Sequence, residues 1–132
     1  MDVLTIEPNM LRGTVQVPPS KSVAHRAIIA AALSREACRI QNIAPSKDIL
    51  ATLGCMKALG AAFLTDEKEH AVVFEKAAPR RRKKEAVLCC EESGSTLRFL
   101  IPVALLCAKT VTFVGKGRLM QRPQTPYFSI FD

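Results

Sequence analysis

Short β-branched stretches take turns with alanine- and leucine-rich stretches of helix length along this chain, and glycine, proline or hydroxyl residues stand at the changeovers. That order restricts the fold to an alternating α/β architecture, because each amphipathic element must bury its apolar side against a neighbour. Val3 to Ile6 and Leu11 to Val17 read as two short strands about a turn containing Pro8-Asn9. A helix from about Ser22 to Leu33 follows, with Val23, Ala27, Ala30 and Ala31 expected to form its close-packing face. Cys38 to Ile43 alternates as a strand. Ser46-Lys47-Asp48 caps a second helix carrying Ile49, Leu50, Leu53, Met56 and Leu59 at helical spacing, with Gly60 as its stop.

Ala62 to Leu64 and Ala71 to Phe74 read as paired strands around the polar turn Asp66 to Glu69, and Ala86 to Cys90 as another strand. A third helix begins after Glu91 to Thr96 and runs through Leu106, with a kink or delayed start expected at Pro102. Lys109 to Val114 is a strand ended by Gly115-Lys116-Gly117, and a further helix begins near Gln124. The order predicts a repeated α/β unit broken off in its second copy, because no helix stop precedes Asp132.

Three corners of this pattern suit anions. The first is Pro18 to Arg26, where a lysine, two hydroxyls and an arginine surround a helix N-terminus whose N–H groups lack intrahelical partners. Helical spacing puts Ser22 with Arg26, and Lys21 with His25, on shared faces. The second corner is Ser93-Gly94-Ser95-Thr96, where glycine admits a ligand close to the backbone and the hydroxyls cap the helix or donate to a phosphate. Arg98 points to the same site or pairs with Glu91 or Glu92. The third corner is Arg118 to Pro123, in which Pro123 holds Arg122 extended so that its guanidinium can grip a carboxylate or phosphate. Each alone reads equally as an ordinary capped surface element; three together predict a multiply anionic small ligand.

Composition narrows the class. The 132 residues suffice for one domain with a core, and 48% hydrophobic residues exclude a disordered chain. The longest apolar runs, Ala27 to Leu33 and Phe99 to Cys107, are too short to span a bilayer, and the N-terminus lacks the pattern of a secretory signal. Cys38, Cys55, Cys89, Cys90 and Cys107 contain no C-x-x-C pair, which favours buried thiols in a reducing cytoplasm over disulfides, zinc or a catalytic thiol. Part of the net charge of +7 comes from the run Arg80-Arg81-Arg82-Lys83-Lys84, which reads as a solvated loop. It has no interleaved aromatic residues for base stacking, so nucleic acid is not the expected partner.

Pro19 to Ala27, Glu92 to Arg98 and Arg118 to Pro123 also resemble, in order, the successive signatures of the EPSP synthase family, the 3-phosphoshikimate 1-carboxyvinyltransferases, and the similarity extends over essentially the whole chain. The resemblance implies the inside-out α/β barrel of enolpyruvyl transferases, built from repeated β-α-β-α-β-β units in two lobes with the active site between them, and present here incompletely. Residues 1–18 would belong to an otherwise missing lobe, and residues 19–132 to the first part of the N-terminal lobe. The implied reaction joins the 5-hydroxyl of shikimate-3-phosphate to C2 of phosphoenolpyruvate; protonation at C3 gives a tetrahedral intermediate that loses phosphate. By matching position, Lys21, Ser22 and Arg26 would bind shikimate-3-phosphate, and Lys21, Gly94 and Arg122 phosphoenolpyruvate, with Lys21 also the catalytic candidate. Glu92 stands where many members have asparagine and Ser95 where many have threonine, so Glu92 is not assigned as a contact.

The resemblance calls for no metal or cofactor, a cytoplasmic location and a monomeric full-length enzyme. The proton-moving groups lie in the other lobe, so this chain alone is expected to be inactive. Two rivals remain. One is the related transferase acting on a UDP-amino sugar, whose first motif favours Ala-Lys-Asn over Ser-Lys-Ser. The other is a basic nucleic-acid module built on Arg80 to Lys84, whose binding would fall steeply with salt.

Overall fold

A computed structural model describes residues 3–34, 36–76 and 81–131. Its elements run α1 (Lys21–Leu33), β1 (Cys38–Ile40), α2 (Lys47–Ala58), β2 (Phe63–Asp66), β3 (Ala71–Phe74), β4 (Lys83–Cys89), α3 (Gly94–Cys107), β5 (Ala108–Val114) and α4 (Thr125–Phe131), with a single 3-10 turn at Leu119–Gln121. One serine opens each of the first three helices. The Ser20, Ser46 and Ser93 hydroxyls accept from the N–H groups of Val23, Ile49 and Thr96, at 3.4, 3.4 and 3.2 Å. Each satisfies one donor that the first turn leaves without a partner. Helix α2 ends as Gly60 predicts. That residue adopts φ 96°, and the N–H groups of Gly60 and Ala61 return to the carbonyls of Lys57 and Met56 in a Schellman motif.

The strands form two sheets. In the first, β3 lies between β1 and β2, antiparallel to both, with Cys38 and Phe63 both opposite Phe74. In the second, β4 and β5 run parallel, with Lys83 opposite Ala108 and Cys89 opposite Val114, and α3 is their crossover. The segment β4-α3-β5-α4 therefore has the alternating order of an α/β unit. Helix α1 packs on α2 and α3, α2 on β4, and α3 on β5. Ile28, Ile49, Met56, Leu88, Leu100 and Leu119 are fully buried at the centre.

Several expectations are corrected. Residues 3–18 form no strand, and Val3, Leu4, Ile6, Met10, Leu11, Val15 and Val17 are all exposed. Alternation makes a segment competent for pairing, but a strand needs a partner edge, and none lies beside this one among the described residues. The buried face of α1 is also displaced. Ala24, His25, Ile28, Ile29, Ala31 and Ala32 are buried, while Val23 is 65% exposed and Ala30 points outward. Isoleucines outweigh alanines in apolar area, so the stripe carrying both of them turns inward. Leu50 likewise lies outside the core, and Thr52 takes its place.

The basic run does more than meet solvent. Arg80 lies outside the described residues. Arg82 donates to the carbonyls of Leu105 at 2.8 Å and Ala108 at 3.2 Å, and Lys83 to the carbonyl of Ala58 at 2.6 Å. These are the C-terminal carbonyls of α3 and α2, where cations complement the helix dipole. Lys83 and Lys84 belong to β4, which starts three residues earlier than expected. Helix α3 starts at Gly94 without delay and continues through Pro102. Proline lacks the N–H that would bond the Arg98 carbonyl four residues back, and the Tyr127 hydroxyl donates to that oxygen at 3.0 Å.

Candidate functional site

The N-terminus of α3 opens into a cleft of about 480 Å³ lined by Asp48, Glu92, Ser93, Gly94, Ser95, Arg98, Phe99 and Arg122. Local sequence explains this meeting. Leu119 is buried against the core and anchors the 3-10 turn, and Pro123 keeps Arg122 extended at φ −71°, ψ 135°. The Gln124 side-chain amide donates to the Arg122 carbonyl at 3.3 Å. Arg122 thus leans across the first turn of α3, so close that a β-carbon on Gly94 would lie 2.6 Å from Nη1. Among the described residues neither Arg98 nor Arg122 is in an ion pair. Two unpaired guanidinium groups beside a helix N-terminus give the cleft the chemistry of an anion site.

Two acidic residues, Asp48 and Glu92, line the cleft, while Glu91 lies outside the lining. Glu91 pairs with Lys116 at 2.6 Å, which lowers the pKa of the carboxyl and raises that of the ammonium. The Glu92 carboxylate lies against Gly117, whose φ of 56° and missing β-carbon leave room for it. Asp48 faces Lys21, with Oδ2 3.3 Å from Nζ.

The first corner reaches the cleft from one side. Lys21 does not line it directly but joins it through Asp48, which does. Arg26 stacks over the Phe99 ring at 4.6 Å and donates to the Ser22 carbonyl at 2.8 Å; Phe99 is part of the cleft wall. Ser22 is exposed outside the lining. Gly94 and Arg122 therefore share one cleft, Lys21 and Arg26 adjoin it through one intervening side chain each, and Ser22 does not reach it.

Beneath the cleft runs a buried polar chain that the sequence reading did not find. His25 Nδ1 is 2.7 Å from Thr52 Oγ1, Thr52 Oγ1 is 2.8 Å from Thr96 Oγ1, and Thr96 Oγ1 is 2.7 Å from Ser93 Oγ. All four residues are at most 3% exposed. The chain links α1 and the middle of α2 to the start of α3. Burial lowers the His25 pKa, with Asp48 opposing and Lys21 and Arg26 reinforcing the shift, so the ring is neutral at pH 7. The signal was present as a histidine and two threonines at core positions of helices, but only tertiary contact shows that they meet. Asp48 and Phe99 also line the site without a signal in the motifs; Arg98 points to it, the first of its two readings, and among the described residues pairs with neither Glu91 nor Glu92.

The expectation of buried thiols holds for two of the five cysteines, since Cys38 and Cys107 are half-buried and Cys89 is exposed. Cys55 and Cys90 are buried, and the Cys55 thiol donates to the Cys89 carbonyl at 3.3 Å. Contact with Cys90 and burial push the Cys55 pKa far up, so it carries no thiolate. Among the described residues no group of His, Cys, Asp or Glu could hold a metal ion, and no helix is long and apolar enough to cross a membrane.

An anion cleft at the start of a crossover helix in an α/β fold defines a class of small-molecule-binding proteins. Within that class the EPSP synthase model (3-phosphoshikimate 1-carboxyvinyltransferase) matches residues 6–131, and the chain belongs to that family. Relatives named 3-phosphoshikimate 1-carboxyvinyltransferase are 46% identical over 132 residues in Clostridium acetobutylicum, 44% over 138 residues in Clostridium novyi and 45% over 132 residues in a strain of Clostridium perfringens. Each match covers 100% of this chain but only 31%, 32% and 31% of the respective relative, so the chain spans about a third of their length.

Proposed function

We propose that this chain supplies part of the substrate sites for enolpyruvyl transfer from phosphoenolpyruvate to the 5-hydroxyl of shikimate-3-phosphate, with release of phosphate. The observation that carries the reading is the pair of unpaired arginines, Arg98 and Arg122, across the first turn of α3. Both substrates are anions. Held together in water they repel, and fixed cations and N–H dipoles remove that repulsion while aligning the reacting atoms. Gly94 lets the phosphoenolpyruvate approach the backbone, and Arg122 binds its carboxylate or phosphate. Lys21 lies between the two substrates and stabilises charge as the carbon–oxygen bond to C2 forms and C3 takes a proton. Ser22 and Arg26 hold shikimate-3-phosphate on the α1 side.

The proposal extends to architecture. Residues 1–18 pair with a second lobe, which buries the seven apolar side chains exposed here, and residues 19–132 begin the first lobe of an inside-out α/β barrel of β-α-β-α-β-β units. The complete enzyme is a cytoplasmic monomer without a cofactor. Groups of the second lobe deliver and remove the proton, so the isolated chain binds substrate without turnover.

Titrating the chain with phosphoenolpyruvate, with and without shikimate-3-phosphate, tests this. Binding is expected in the unsubstituted chain and lost in Arg122→Ala, with no phosphate release above a Lys21→Ala control. Neutralising the run Arg80 to Lys84 should leave binding intact. Preference for the UDP-amino sugar over shikimate-3-phosphate, or binding that follows the basic run, would transfer the assignment to one of the rivals.

A further inference from the structure

Lys21 and Arg26 are the cations of the α1 corner, and the fold holds them in different ways. Lys21 Nζ lies 3.3 Å from Asp48 Oδ2, so a carboxylate fixes it and offsets its charge. Arg26 has no such partner, for among the described residues it enters no ion pair. Its guanidinium carbon stands over the Phe99 ring instead, 4.6 Å from the ring centre. At that distance the negative face of an aromatic ring attracts a cation.

A ring and a carboxylate aim a guanidinium with different consequences. A carboxylate accepts the N–H donors and cancels the field that a ligand would feel. A ring face does neither. A guanidinium carries several N–H groups in its plane. Among the described residues Arg26 spends one of them, from Nη1 to the Ser22 carbonyl at 2.8 Å. The rest of its donors and its whole charge stay free for an anion, in a residue that is exposed.

The ring is itself held in place. Phe99 is half-buried in the cleft wall, and Leu100 after it is fully buried in the core. His25, 2% exposed, meets the ring edge to face, with centroids 6.2 Å apart and planes at 63°. The imidazole is fixed in turn by Thr52, whose Oγ1 is 2.7 Å from Nδ1. Successive residues of α1 thus clasp one ring of α3, His25 by packing and Arg26 by charge.

Resting on the reading that Arg26 meets shikimate-3-phosphate, we propose that Phe99 is a positioning residue for that substrate, its ring holding the Arg26 guanidinium at the margin of the cleft with its charge uncancelled. The contact exists before any ligand arrives. It acts on affinity by ordering a long side chain in advance, and its own strength bounds the gain.

Two measurements test this, with shikimate-3-phosphate as the probe. The first places trifluoro- and pentafluorophenylalanine at position 99, which keeps the shape of the ring while weakening and then reversing the potential of its face. Affinity by isothermal titration should fall in that order, by about two- to fivefold in all. Phe99→Leu should lose a similar amount and Phe99→Tyr none, with thermal denaturation confirming that each variant is folded. The second follows the side-chain methylene protons of Arg26 by NMR, assigned with Arg26→Lys. They should be shifted upfield by the ring in the free chain and in the complex, and lose that shift in Phe99→Leu. Equal affinity across the fluorinated series, or Arg26 resonances without a ring shift, overturns the inference and leaves the anion site standing. An unsubstituted chain that binds shikimate-3-phosphate no better than Arg26→Ala overturns the α1 side of the site, and the inference falls with it.

Discussion

Replacing Gly94 with alanine tests the cleft at its tightest point. The new β-carbon would lie 2.6 Å from Arg122 Nη1 and 3.8 Å from its Cζ, whereas ordinary contact begins at 3.4 Å. The difference, 3.4 minus 2.6, requires a shift of 0.8 Å. The guanidinium is the far end of a flexible, exposed side chain, so the fold yields cheaply, and alanine is the better helix former. Stability should change by less than about 1 kcal/mol in either direction. Ligand geometry is less forgiving. A charge-assisted hydrogen bond of about 2.9 Å lengthened by that shift falls outside bonding range. Losing one such bond costs about 1.5–3 kcal/mol, or roughly ten- to 150-fold in affinity for phosphoenolpyruvate. Calorimetric titration reads the affinity, and thermal denaturation reads the stability. A Gly94→Ala chain that binds as tightly as the unsubstituted one, while Arg122→Ala does not bind, would refute the crowding argument.

Other consequences follow from the same contacts. Thr52→Val, nearly isosteric, strands His25 Nδ1, while the Thr96 hydroxyl keeps Ser93, and should lower stability by about 1–3 kcal/mol in denaturant unfolding. Because His25 is held below its ordinary pKa of 6.5, the unfolded chain takes up its proton first, so stability should fall as pH drops below about 6.5 and level off under the folded value. Denaturation followed between about pH 7.5 and about pH 5 checks this, and His25→Asn should flatten the slope; the lowered Asp66 and Glu91 carboxyls act only below their ordinary values of 3.8 and 4.5. Tyr127→Phe should cost about 1 kcal/mol, and less in a Pro102→Ala background, where a restored N–H serves the Arg98 carbonyl; equal losses in a double-mutant cycle would contradict that pairing.

What could be read in the letters was whatever local chemistry decides. Ser20, Ser46, Ser93, Gly60 and Pro123 act within a turn of themselves, and helix starts, one helix stop and the extended Arg122 follow from them. Alanine spacing points to the wrong face of α1, because Ile28 and Ile29 carry the larger apolar area and turn inward. Residues 3–18 look like strands because alternation measures fitness for a sheet and not the presence of one. Arg82 and Lys83 resemble any solvated charges until the carbonyls of Leu105, Ala108 and Ala58 are brought under them. Gly94 and Arg122 could be nominated separately from their motifs, but their mutual contact is a property of the folded turn at Leu119.

Arg122 stands at the crown of an arch with two footings. One is Leu119, sunk in the core three residues before it; the other is Tyr127, tied five residues after it to the carbonyl that Pro102 leaves open. A span held at both ends sets the Arg122 backbone in place before any ligand arrives, so less freedom is lost on binding. Loosening either footing should therefore weaken binding chiefly through entropy, at residues that no ligand touches.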